Sequence, residues 1–175
     1  LYLPRTMKNI TIQGINWDEK SSYQRGPAKA SQLIRAALHS GSMNMYSELG
    51  ARADEEGIKD AGDFDIDDYF SIEGITAKHL QDGGKVLTLG GDHSIAYQVI
   101  KAFAGRYPKL DILQIDAHAD LYDNFEGDKF SHACPFARIM EEGLAVRLVQ
   151  VGIRTLNPHQ SAQAERFGVE VHGMR

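Results

Sequence analysis

A single cysteine, Cys134, occurs in 175 residues, so no disulfide can close within the chain. That usage fits a reducing compartment, and a cytoplasmic protein is expected. Long apolar runs are also missing. No stretch approaches the roughly 20 residues that a membrane-spanning helix requires, and the opening segment, LYLPRTMKNI, has neither the apolar centre nor the small-residue cleavage site of a secretory signal. Basic residues are outnumbered, 19 Lys and Arg against 24 Asp and Glu, for a formal charge of −5. Without a basic stripe, neither a nucleic-acid partner nor a membrane partner is expected. Repeats and low-complexity tracts are absent as well. The segment GGDHS at 90–94 lacks both the G-x-G-x-x-G spacing and the Gly-Lys-Ser/Thr ending of phosphate-binding loops, which excludes a nucleotide site of either kind.

What remains is a chain that is 42% hydrophobic and 25% charged, enough to bury a sizeable core as one domain over 1–175. Short β-rich runs recur at 9–15, 85–90, 111–116, 146–153 and 168–172. Helical patterns alternate with them. Residues 27–39 place Leu33, Ile34, Ala37 and Leu38 on one helical face, and 94–106 do the same with Ile95, Val99, Ile100 and Phe103. Segment 134–143 has a proline suited to a first turn and a glycine suited to an end. Near-continuous apolar strands are those of a sheet covered on both faces, so the predicted architecture is an α/β sandwich with a mostly parallel sheet. Residues 41–68, rich in Gly, Asp and Glu, read as a long surface excursion with little regular structure.

Ligands of open parallel sheets bind beyond the carboxyl ends of the strands. There the strand DILQID runs into Asp116, His118 and Asp120, separated by single alanines. An extended chain would point all three the same way. The strand at 85–90 delivers His93 to the same edge. A buried set of carboxylates and imidazoles needs compensating charge, and this mixture of oxygen and nitrogen donors suits Mn²⁺, Zn²⁺, Fe²⁺ or Ni²⁺ better than Ca²⁺. A lone Asp-x-His is usually a solvated turn. The triplet together with His93 favours a metal site.

LGGDHSI, IDAHADLYD, FSHACPFARIME and VQVGIR, with SSYQRGPAKA and DAGDFD, together resemble the ureohydrolase family of arginases and agmatinases. The stretch at 122–143 is most similar to plant-type arginases and their bacterial agmatinase-like relatives. The resemblance implies the arginase-like fold, a three-layer αβα sandwich with a mostly parallel sheet, two Mn²⁺ ions per site (Ni²⁺ as an alternative), and a homo-trimer or homo-hexamer. It also implies hydrolysis of a small guanidino substrate to urea and an amine. Position by position, it assigns His93 to one metal, His118 to the other, Asp116 to both, and Asp120 to the first. A guanidinium is a poor electrophile, so water must be activated at neutral pH, which a metal pair does by lowering its pKa. His132 matches the family's proton-shuttling histidine, a role an imidazole can fill near neutral pH. By the same resemblance Asp92 supports the site through hydrogen bonds, Asp63 and Arg154 stabilise the fold, and Cys134 has no catalytic part.

The resemblance is incomplete. The family's downstream Asp-x-Asp cluster and the acidic residue that grips the guanidinium do not appear in these residues, and DFDID at 63–67 matches a different family segment. The expectation is therefore an amino-terminal portion of the fold, with its C-terminal part missing. The loop at 121–132 also lacks the Asp-Ile-Asn and Ser-Gly-Asn pattern by which animal-type arginases hold arginine. Agmatine is slightly favoured over arginine, with guanidinobutyrate and free guanidine open. Two readings of other classes stand beside these. One is a single-zinc deacetylase, which would call for a His-His dyad; the other is a catalytically dead regulatory or assembly subunit.

Overall fold

The computed structural model describes residues 9–50, 52 and 57–174. The opening segment read above for a secretory signal lies largely outside the described residues, as do 51 and 53–56 of the acidic excursion. Strands and helices alternate in the order β1 (Ile10–Asn16), α1 (Ala30–Leu38), β2 (Ile58–Asp65), α2 (Ser71–His79), β3 (Lys85–Leu89), α3 (Ile95–Arg106), β4 (Asp111–Ile115), α4 (Pro135–Glu141), β5 (Arg147–Ile153), α5 (Pro158–Phe167) and β6 (Glu170–Gly173). All strand pairs are parallel. Each connection therefore needs a crossover, which the helices supply.

Local chemistry sets the helix ends. In α5 the Asn157 side chain accepts the Gln160 N–H at 2.9 Å, Pro158 occupies the first turn, and Gly168 closes the helix with φ +65°. Pro135 likewise opens α4, and Gly143 follows it with φ +62°. Helices α2, α3, α4 and α5 pack in succession as one layer, and α1 lies against β1 and β3. Right-handed crossovers place α1 on the opposite face of the sheet. The core forms between the strands and the α2–α5 layer, around Ile15, Ile72, Tyr97, Leu121, Ile139 and Leu148. Full burial of each such aliphatic side chain contributes about 1.5–3 kcal/mol.

Three expectations are corrected. The acidic excursion contains a strand, because β2 pairs with β1 from Ile10↔Ile58 to Asn16↔Asp65. Helix α1 does not bury its apolar stripe: Leu33 is 69% exposed, whereas Ser31 is turned inward. Polar anchors decide that rotation. Arg35 donates to Asp60 at 2.8 and 2.9 Å, to the Gly62 carbonyl at 2.9 Å and to Asp63, while the Ser31 hydroxyl donates to Asn16 at 2.7 Å. Finally, the strands form two three-stranded sheets, ordered β2-β1-β3 and β4-β5-β6, in place of one continuous sheet.

The neighbouring edges of the two sheets, β3 and β4, do not pair. A cleft of about 370 Å³ lies between them, lined by Thr88 on one side and by Ile112, Leu113 and Ile115 on the other. On β4, Gln114 is buried and Ile112 packs against the core, while Leu113 and Ile115 are 63% and 79% exposed. The strands are thus apolar on two faces, as a doubly covered sheet requires, but only one face of β4 is covered.

Candidate metal centre

Beyond β3 the chain turns tightly into α3. Gly91 has no room for a side chain, since a Cβ there would stand 1.6 Å from the Trp17 carbonyl oxygen. That oxygen also accepts the Asp92 N–H at 2.9 Å. The glycine thus serves close backbone approach. Asp92 is buried, and its carboxylate braces the turn from both sides. One oxygen accepts the Ser94 N–H at 2.9 Å and the Ser94 hydroxyl, and the other accepts the Lys20 N–H at 3.0 Å and the Ser21 hydroxyl at 3.3 Å. This is the supporting role expected of it. The brace leaves His93 facing the ends of β4, its ring edge-on to Phe136 with centroids 5.6 Å apart.

Beyond β4 the chain is not extended, contrary to the alternation argument. The Asp116 carboxylate accepts the His118 N–H at 2.9 Å, and Asp120 takes a left-handed conformation with φ +49°. Aspartate tolerates that region better than most residues because its short side chain bonds locally. The consequence is a different grouping of the four expected ligands. His93, Asp116 and Asp120 offer ligand atoms within 4.8 Å of one another. His93 Nδ1 lies 2.6 Å from Asp120 and 3.4 Å from Asp116. His118 stands beside this group, not in it: its Nδ1 is 3.6 Å from Asp116, and its side chain is 62% exposed.

Charge and burial compete within the group. Burial works against protonation of His93, but its hydrogen bond to Asp120 and the charges of Asp120, Asp116 and Asp92 raise its pKa above the ordinary imidazole value. Burial would raise Asp116, yet the His118 N–H, the nearby His93 and the Gln114 amide hold its carboxyl below the usual carboxylate range. The donor set fits a divalent cation. One imidazole nitrogen and two carboxylates, partly buried and converging, are the mixture preferred by borderline first-row metals, and Asp116 is already held in its anionic form.

His132 lines the same cleft, of about 680 Å³, together with His93, Asp116, His118, Asp120 and Tyr122. Its Nδ1 is 2.8 Å from the Lys20 carbonyl oxygen. A carbonyl can only accept, so Nδ1 carries the hydrogen and Nε2 is left as the basic nitrogen, with the Ser22 hydroxyl 3.4 Å away. Lys20 is tied to the same loop by an ion pair with Asp128 at 2.6 Å. The roles of Lys20 and Ser22 were not read from the sequence, although both flank or lie in the family-like segment SSYQRGPAKA. Their signal was proximity in the fold, which no local pattern carries.

Cys134 is buried, and burial pushes its thiol up to about 12, which leaves it inert. Asp63 is held by Arg35, and Asp65 accepts from Asn16 at 2.9 Å, so two of the three acids of DFDID have partners of their own away from the centre. The Arg154 N–H donates to the Ala117 carbonyl at 2.9 Å and steadies the loop after β4.

A model described as the arginase family matches residues 8–175. The chain belongs to the arginase family. Arginase 1, mitochondrial, from Arabidopsis thaliana is 41% identical over 181 residues, covering 95% of this chain and 53% of the relative. N(1)-aminopropylagmatine ureohydrolase from Thermus thermophilus is 37% identical over 172 residues, covering 95% and 58%. Among solved structures, the arginase from Medicago truncatula superposes with a TM-score of 0.86 at 37% identity, covering 96% of this chain and 57% of that one. This arginase-family chain thus spans about half the length of the curated relatives it matches, and both the plant-arginase and the agmatinase-like resemblances are borne out. So is the arginase-like fold with its parallel sheets.

Proposed function

We propose that this chain contributes His93, Asp116 and Asp120, with His118 beside them, to a two-metal ureohydrolase centre for a small cationic guanidino substrate. Agmatine or arginine is favoured. The observation that carries the reading is the convergence of the His93, Asp116 and Asp120 donor atoms at the carboxyl ends of β3 and β4. A pair of Mn²⁺ ions bound there would supply a water acidified to near neutrality and Lewis-acid polarisation of the reacting group.

The chain's own residues do the rest. The carboxylates of Asp116 and Asp120 would offset part of the charge of the bound cations. His132, with its proton fixed on Nδ1 by the Lys20 carbonyl, presents Nε2 to take a proton during attack and to return it to the departing amine. Tyr122 and Phe125 wall the cleft, with ring centroids 5.2 Å apart, and restrict it to a slender substrate. Assembly as a homo-trimer or homo-hexamer is part of the same proposal. The uncovered apolar side chains of α1, Leu33 and Ile34, support a self-contacting surface.

The test is metal content and urea release by the purified native protein with arginine, agmatine, guanidinobutyrate and guanidine. Two metals per subunit and urea from one of the four are expected. One metal without urea points to deacetylase-like chemistry, and none points to a dead assembly subunit; either result overturns the proposal.

A further inference from the structure

Two glutamines sit in the middle of otherwise apolar strands. Gln114 of β4 and Gln150 of β5 are register partners, and both are buried on the face covered by helices. A buried amide costs stability unless its donors and acceptors are met. Here the donors are spent in one direction. Gln150 Nε2 donates to Gln114 Oε1 at 2.6 Å and to the Ala119 carbonyl at 2.7 Å. Gln114 Nε2 in turn donates to the His118 carbonyl at 3.0 Å and to Asp116 Oδ2 at 3.3 Å. The orientation follows from the acceptors: turning the Gln150 amide over would set its oxygen against two others. Gln150 Oε1 itself has no hydrogen-bond partner among the described residues. A third glutamine, Gln160 of α5, accepts the Leu121 N–H at 3.3 Å and holds the loop's far end.

We propose that Gln114 and Gln150 form a positioning relay that runs from β5 through β4 to the ligand loop and sets Asp116 and Asp120 for cation binding. The inference rests on the metal-centre reading above and deepens it. Two apolar residues of similar shape would fill the same space, and removing both partners of the Gln150–Gln114 hydrogen bond leaves neither of them unsatisfied. What they could not do is hold the His118 and Ala119 carbonyls and an Asp116 oxygen. The left-handed Asp120 follows directly on those carbonyls, so releasing them frees its carboxylate from His93.

The experiment uses Gln114→Leu, Gln150→Leu and the double variant of this chain, titrated with Mn²⁺ and read by the paramagnetic resonance of the free ion. Urea unfolding of the metal-free proteins runs beside it. Each single variant is expected to lose roughly 10–100-fold in Mn²⁺ affinity, the range for groups that orient metal ligands. The double variant should lose no more than the worse single one, and its metal-free midpoint should be no lower than that of the less stable single variant, since it strands no amide of the pair. Wild-type affinity in the folded double variant, or losses that multiply, would overturn the relay. Methionine replaces leucine if packing fails. If neither set folds, the glutamines are fold determinants and the proposal is wrong. A wild-type chain that takes up no Mn²⁺ overturns the metal reading itself, whereas wild-type uptake with unaffected variants overturns only the relay.

Discussion

His93 Nδ1 and Asp120 Oδ2 stand 2.6 Å apart, joining the turn after β3 to the loop after β4 across two strands that do not pair with each other. The candidate centre is thus one of the points at which the two sheets are tied. Substitutions there act on metal binding and on the junction together.

Asp116→Asn keeps the shape of the side chain and removes its charge. With one anion fewer to neutralise a divalent cation, Mn²⁺ affinity should fall by more than the ~10–100-fold expected for an orienting residue. Isothermal titration with Mn²⁺ measures it. Wild-type affinity would remove Asp116 from the ligand set.

His132→Ala should leave metal uptake unchanged and lower turnover of the native protein by about 10²–10⁴-fold, the range of general acid–base help. Steady-state urea release at neutral pH, with metal analysis of the same sample, separates the two effects. An unchanged rate would take His132 out of the mechanism.

Acid should loosen the Lys20–Asp128 tether. Burial alone would raise the Asp128 carboxyl, but Lys20 and the Phe130 N–H lower it from the ordinary value of 3.8. A carboxylate depressed in the folded state contributes stability above its unfolded pKa, and that contribution is lost as pH falls through the lower folded value. The difference in urea midpoint between wild type and Asp128→Asn should therefore be full at pH 7, begin to shrink below about pH 4, and vanish in stronger acid. A difference that does not shrink as pH falls below about 4 would contradict it.

Leu113→Lys with Ile115→Lys places charge on the uncovered face of β4. Exposed apolar strand faces beside an unpaired edge invite association, and lysine discourages it. Light scattering of this chain should show less self-association for the double variant, with unfolding free energy within about 0.5 kcal/mol of wild type for substitutions at exposed positions. Equal association would mean that chains meet elsewhere, with α1 the next face to test.

Much of this was legible in the residues themselves. Apolar runs located β1, β3, β4, β5 and β6, and proline and glycine bracketed α4, because those signals are local. His93, Asp116 and Asp120 could be grouped because parallel strands deliver their following loops to one edge. Strand β2 was hidden by its composition: Asp60, Asp63 and Asp65 look like loop residues until Arg35 and Asn16 arrive to bond them. The rotation of α1 was misread for the same reason, since its apolar periodicity lost to an arginine with three distant acceptors. The exposed His118 and the left-handed Asp120 depend on a turn that the D-A-H-A-D spacing does not encode. Gln114 and Gln150 were visible as polar interruptions, but their targets lie across strands.

The two sheets are also separate in time. β1, β2 and β3 come from residues 10–89, and β4, β5 and β6 from residues 111–173, so synthesis delivers every strand of the first sheet before any of the second. At translation rates of about 5–20 residues per second, the strands of the first sheet exist for roughly a second or more before β4 is made, although the core they share with the second sheet has to wait for it. His132, however, finds its carbonyl partner 112 positions back, and Asp92 reaches 72 positions back to Lys20. Closures of that span carry the largest entropic cost and come late. The cleft is accordingly among the last features to form, and the binding competence of a newly made chain should trail its secondary structure.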